Sequence, residues 1–211
     1  RISRGLIISR QTMPNTWPTH ASIGRHSTNV TFINKVYNTR LTPKERNMDK
    51  QLLLGDEAIA QAALDAGLSG VYAYPGTPST EITEYIQAVL KNTDSNIHRN
   101  WCANEKTAME AALGMSFVGK RALVCMKHVG MNVAADCFIN AGVTGVNGGV
   151  IVVAADDPSM HSSQNEQDSR FYGDFSLIPM YEPSNQQEAY DMVYNGFEFS
   201  EKTGEPILMR M

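Results

Sequence analysis

Four short stretches of this chain combine residue types that could do chemistry. The first is Pro75-Gly76-Thr77-Pro78. Two prolines restrict the backbone, a glycine permits close approach, and a threonine hydroxyl sits between them. With the amides of a following helix start, such a turn could hold an anion such as a carboxylate. It also reads as a tight loop before a helix capped by Ser79 or Thr80. The second is Glu105 in "CANEKTAMEAALG", a carboxyl at a helix start backed by small apolar residues, which can be a chemical group or only a complement to the helix dipole. Glu110, further along, is expected to be solvated. The third, "MKHVGMN", places Lys127 and His128 at a strand end, with Gly130 opening the next helix. The fourth begins at Asp156-Asp157 before Pro158. Paired aspartates can hold a divalent metal, or can end a strand and start a turn. The polar loop behind them carries His161, Gln164, Asn165, Asp168 and Arg170. Arg170 could meet an anion or tie the loop to Asp168.

The elements that must position these residues alternate regularly. An alanine-rich helical pattern, "EAIAQAALDAG", stops at Gly67, a good helix-ending residue. "GVYAYP", "NIHRNWCAN", "RALVCMK", "GGVIVVAAD", "LIPMYEP" and "EPILMRM" read as extended runs, with helical patterns between them. The result is an α/β fold: a doubly wound, mostly parallel sheet covered on both faces. In such sheets ligands bind beyond the carboxyl ends of the strands, where all four stretches lie. No GxxxxGK[ST] loop and no GxGxxG fingerprint occurs.

The chain has 211 residues, of which 42% are hydrophobic and 19% charged, a composition that suits a globular domain. No apolar run is long enough for a membrane span. The three cysteines lack CxxC spacing and read as buried, reduced thiols of a cytoplasmic protein. The net charge of −4 hides a division. Residues 1–47 carry eight Lys/Arg and one acid, Glu45, whereas the remainder carries ten against twenty-one. The basic segment is expected to bury too little apolar surface to order. A leader or translated upstream sequence, with Met48 as initiator, is the reading adopted; a transit peptide and a nucleic-acid arm are the alternatives. Binding to nucleic acid is disfavoured by the acidic remainder. Residues 48–211 form the patterned domain, and the chain stops on an apolar strand as if interrupted.

Taken together, "LLLGDEAIAQAALDAG", "YPGTPSTEI", "NEKTAMEAALG", "MKHVGMNVAAD" and "DDPSMHSSQNEQDSR" resemble the α subunits of indolepyruvate-type 2-oxoacid:ferredoxin oxidoreductases, a thiamine-diphosphate-dependent family. The likeness runs from about Met48 to Met211. It implies that residues 48–211 are a pyrimidine-binding domain, shortened relative to the family. It also implies that Glu105 hydrogen-bonds the ring nitrogen of the cofactor's aminopyrimidine and so activates the thiazolium carbon. Pro75, Gly76, Thr77 and Gly130 would line the cofactor, and Thr77 would also contact the substrate carboxylate.

Where the pyruvate enzymes of this family place a substrate-binding arginine, this chain aligns Asp156, so Lys127, His128 or His161 would take that role. That departure favours an arylpyruvate over pyruvate. The family's diphosphate-binding motif with its magnesium ligands, and its cysteines for iron–sulfur clusters, are missing from these residues. The resemblance therefore implies half a cofactor site, inactive alone, with a β subunit, ferredoxin, coenzyme A and an arylpyruvate as partners. Alternatives are a nonoxidative thiamine-diphosphate decarboxylase and a non-catalytic α/β partner module.

Overall fold

The computed structural model describes residues 51–211; the expectations for residues 1–47 lie outside them. Six strands form one sheet in which every pairing is parallel. They are β1 (Gly70–Ala73), β2 (His98–Trp101), β3 (Ala122–Lys127), β4 (Val150–Ala155), β5 (Met180–Tyr181) and β6 (Ile207–Arg210). Their order across the sheet is β2-β1-β3-β4-β6-β5. The six helices are α1 (Gly55–Asp65), α2 (Thr80–Leu90), α3 (Glu105–Phe117), α4 (His128–Thr144), α5 (Arg170–Ser176) and α6 (Gln186–Thr203).

A right-handed crossover ties the direction of each step to the face its helix covers. The steps β2→β3, β3→β4 and β4→β5 run one way across the sheet, and α3, α4 and α5 share one face. The steps β1→β2 and β5→β6 run the other way, and α2 and α6 cover the opposite face together with α1. The central strands β3 and β4 are buried from Ala122 to Met126 and from Val150 to Ala155, as strands covered on both faces must be. Their side chains alternate between layers. Val124, Met126, Val152 and Ala154 pack with Met109, Met131 and Phe138 of α3 and α4. On the other side Ile151 and Ile207 close against Gly196 of α6.

The start of α1 carries an electrostatic cost. The dipole of a helix favours acids in its first turn, yet burial, then Glu81 and Glu57, push the Asp56 carboxyl up to about 6. Its Oδ1 and the Glu81 Oε2 are buried without a hydrogen-bond partner among the described residues. The folded chain thus holds the Asp56 proton more tightly than the unfolded chain, whose value is the ordinary 3.8. Stability is therefore lost as pH rises from about 4 to about 6, and the full penalty stands above that window. Asp56→Asn is expected to stabilise the domain at pH 7.5 by about 1 kcal/mol, allowing for solvent screening, and to do little at pH 3.5. Thermal unfolding at the two pH values measures this; an equal effect at both would show that charge is not the cause.

Candidate functional site

The winding reverses at β1. Its loop leads to α2 on one face, while the loop after the adjacent β3 leads to α4 on the other. A crevice of this kind is the usual ligand position in an open α/β sheet. The turn 75–78 and the Lys127-His128 pair face each other across it. A Cβ built on Gly76 would lie 2.7 Å from Lys127 Cδ, so the lysine stem rests directly on the glycine.

The turn is fixed by its own polar groups. The Gly76 amide donates to Thr80 Oγ1 at 2.7 Å, and the Ser79 amide and hydroxyl both donate to the Gly76 carbonyl, at 2.9 and 2.8 Å. Neither Ser79 nor Thr80 caps α2 as the sequence suggests: the Ser79 side chain makes no cap bond. Both serve the turn instead. The Thr77–Pro78 peptide is cis. Pro75 and Thr77 are exposed on the crevice edge, and the Thr77 hydroxyl has no partner among the described residues.

Glu105 opens α3, whose N-cap Asn104 accepts from the Thr107 amide at 2.9 Å. That cap frees the Glu105 carboxyl from capping duty. Glu105 is only 9% exposed and has no hydrogen-bond partner among the described residues. It rests on Gly130, where a Cβ would fall 2.7 Å from both its Cγ and its Oε1. Gly130 lies in the first turn of α4, which begins at His128 rather than at the glycine. One helical turn, about 5 Å of rise, therefore links the Lys127–Gly76 contact to the Gly130–Glu105 contact. Glu110 is exposed, as expected.

Residues 156–169 cross this edge as a strap. Asp156 and Asp157 are each engaged by protein donors. Asp156 accepts from Arg210 Nε at 2.6 Å, from the Ser169 hydroxyl at 2.5 Å and from the Ser169 amide at 3.1 Å. Asp157 accepts from the His161 amide at 3.1 Å and from the Ser162 amide at 2.8 Å. These bonds, led by that of the Ser162 amide, hold its carboxyl down at about 2. The two carboxylates are thus engaged as a strand end and a turn engage them, and among the described residues no group of three or more His, Cys, Asp or Glu side chains is placed to hold a metal ion. Ser159 and Met160 inside the turn have φ of 68° and 56°. Left-handed backbone costs an L-residue about 1–2 kcal/mol, so the Asp157 bonds are what keep the turn closed.

Arg170 ties the loop to Asp168, at 2.9 Å from Nε to Oδ1 and 2.5 Å from Nη2 to Oδ2, and Arg210 also pairs with Glu182. Both guanidinium groups are thereby neutralised. Lys127 has no acidic partner among the described residues; its Nζ donates to the Ser162 carbonyl at 2.8 Å. His128 is fully buried, with Nε2 at 3.0 Å from the Asn165 carbonyl and Nδ1 unpartnered. The bond to a carbonyl requires Nε2 to carry the hydrogen. The His161 ring is exposed and stands outside the contacts that join the other candidates; only its amide takes part, toward Asp157.

Residues 61–211 match the family model described as pyruvate flavodoxin/ferredoxin oxidoreductase, thiamine diphosphate-binding. The chain belongs to this family. Among curated relatives, it is 51% identical over 162 residues to the indolepyruvate oxidoreductase subunit IorA of Pyrococcus horikoshii, covering 77% of this chain and 25% of that protein. It is 49% identical over 164 residues to the IorA subunit of Archaeoglobus fulgidus, covering 77% and 26%. This chain thus spans about a quarter of the length of these relatives. A solved 2-oxoglutarate:ferredoxin oxidoreductase from Magnetococcus marinus shares the fold, with a TM-score of 0.64 and 21% identity over 75% of this chain and 28% of that one.

The family model is that of a thiamine diphosphate-binding domain. An aminopyrimidine needs a carboxyl group that is shielded from water and not already committed to another partner, and Glu105 is both. Gly130 leaves that carboxyl its space. The residues fit. The sequence did not single out Ser162 or Arg210, since a serine in a polar loop and an arginine ending a strand carry no local signal. Their partners lie 35 and 54 positions away in the chain. No helix among the described residues is long and apolar enough to cross a membrane.

Proposed function

We propose that residues 48–211 form the pyrimidine side of the cofactor site in an enzyme that oxidatively decarboxylates arylpyruvates. Coenzyme A would take the acyl group and ferredoxin the electrons. The observation that carries this reading is the Glu105 carboxyl, buried, unpaired and seated on Gly130 at the start of α3. The relatives' name, indolepyruvate oxidoreductase, supports the substrate class.

Thiamine diphosphate, when bound, supplies a carbon nucleophile and an electron sink for the carboxylate's departure. Glu105 would hold a proton at the pyrimidine nitrogen, and Gly130 keeps its carboxyl in place. Pro75 and Gly76 shape the turn beside it. Thr77 and Lys127 would bind the substrate carboxylate, one by a hydroxyl and one by an unpaired ammonium. This fits a chain whose Asp156 is committed to Arg210 and Ser169. His128 supports the same edge from beneath the strap, and His161 is the outermost candidate. Magnesium and the iron–sulfur clusters are assigned to parts of the relatives that this chain does not span, as are the contacts with a companion subunit, ferredoxin and coenzyme A. We place the working enzyme in the cytoplasm.

The test is indolepyruvate-dependent and coenzyme-A-dependent reduction of a viologen dye by the holoenzyme under anaerobic conditions. Activity that requires both compounds is expected. Turnover of a small 2-oxoacid in preference to indolepyruvate would remove the substrate assignment and keep the cofactor site. Reaction without coenzyme A or dye would replace the oxidative reading with simple decarboxylation.

A further inference from the structure

Ser162 is the point where three parts of the crevice meet. Its carbonyl accepts from Lys127 Nζ at 2.8 Å, and its amide donates to Asp157 Oδ2 at 2.8 Å. Its single hydroxyl hydrogen faces Asp157 Oδ2 at 3.1 Å and the Thr77 carbonyl at 3.2 Å. Ser162 is exposed and Asp157 buried, so packing does not fix the serine; the aspartate does. The turn between them contains two successive left-handed non-glycine residues, Ser159 and Met160. Such a turn opens unless bonds hold it closed. The Met160 amide to the Asp157 carbonyl, at 3.0 Å, closes it from the backbone. Asp157 Oδ1 and Oδ2 close it from the side chain by holding the amides of His161 and Ser162.

We propose that Asp157 is a positioning residue for substrate recognition: by closing the 158–162 turn it presents Ser162, which fixes the Lys127 ammonium and the Thr77 backbone on either side of the crevice. This rests on the reading of Lys127 and Thr77 as the carboxylate contacts. A long, flexible lysine binds a carboxylate better when its ammonium is already held near the bound geometry. Asp157 touches neither substrate nor cofactor. Its effect passes through Ser162 to Lys127, and so should fall on substrate binding more than on the chemical step.

The experiment is steady-state kinetics of the holoenzyme with indolepyruvate varied, for wild type, Asp157→Asn, Lys127→Met and the double variant. Asparagine keeps the shape but leaves one acceptor oxygen where two backbone amides, those of His161 and Ser162, donate. Asp157→Asn is expected to raise KM about 10-fold with kcat within about 3-fold, and to add little once Lys127 is replaced, because both act through one contact. Multiplying effects in the double variant, or a fall in kcat and Tm with KM unchanged, would overturn the proposal and give Asp157 a purely structural role. Two failures are told apart by Lys127→Met. If it raises KM while Asp157→Asn does not, the carboxylate reading stands and this proposal falls; if it leaves KM unchanged, both fall. Should Asp157→Asn not assemble, Ser162→Ala removes only the hydroxyl link, and a KM rise of about 3-fold is expected. An unchanged KM there would likewise count against the proposal.

Discussion

Glu105→Gln is expected to lower turnover of the holoenzyme about 100-fold or more while leaving folding and assembly intact. The substitution keeps shape and volume at a position that is only 9% exposed. It also leaves the helix start undisturbed, because Asn104 provides the cap. Under the proposed role, what it removes is the ability to hold or move a proton at the pyrimidine nitrogen, since an amide donates a hydrogen bond but does not exchange the proton. Positioned acid–base groups contribute about 10²–10⁴ in rate. A carboxyl that only complemented the helix dipole would give a different result: about 0.3–1 kcal/mol of stability lost and turnover unchanged. Turnover and Tm measured on the same preparation separate the two outcomes, and full activity in the variant would end the assignment.

The second large effect concerns the glycine beneath that carboxyl. Gly130→Ala is expected to cut turnover about 10-fold or more with little change in Tm. Two opposing terms set the stability. Alanine is better than glycine inside a helix by about 1 kcal/mol, and the new Cβ at 2.7 Å from Glu105 Cγ and Oε1 cannot be accommodated where it stands. The Glu105 side chain rather than the backbone gives way, which makes relief cheap for the fold and costly for the site. A displacement of about 1 Å at a reacting group can cost about 100-fold. The thiamine diphosphate dependence of turnover checks this directly: a variant with wild-type rate and cofactor saturation would show that the carboxyl works without its seat on Gly130.

The two substitutions probe one contact from opposite sides, and the contact illustrates how legible the site was. The positions of Glu105, Lys127 and the 75–78 turn are readable because helix starts and strand ends have local sequence signals, whereas the roles proposed for them come from the family resemblance. The strap is different. Asp156 and Asp157 read as a turn in preference to a metal pair, but their partners are set by the tertiary structure: Arg210 and Ser169 bond one, and the amides of His161 and Ser162 the other. The expected caps failed for a related reason. Ser79 and Thr80 are good capping residues, but the Gly76 carbonyl and amide compete for them, and that competition depends on how the turn folds back.

By itself the sequence determined the fold class, because apolar runs such as "VIVVAA" alternating with helical patterns bury enough surface only as a covered parallel sheet. It also determined that the chemistry-bearing residues share one edge, since parallel strands all end on the same side. The strand order was decided only by the tertiary structure. Strands β1, β3, β4 and β6 are each apolar enough to lie beside several others, so their sequences do not say which pairs with which. Placing β1 beside β3 is what brings Gly76 under Lys127, opens the crevice between their loops, and lets one turn of α4 join that contact to Glu105. Such pairings depend on long-range packing and on the hand of the crossovers, which act between residues far apart in the chain.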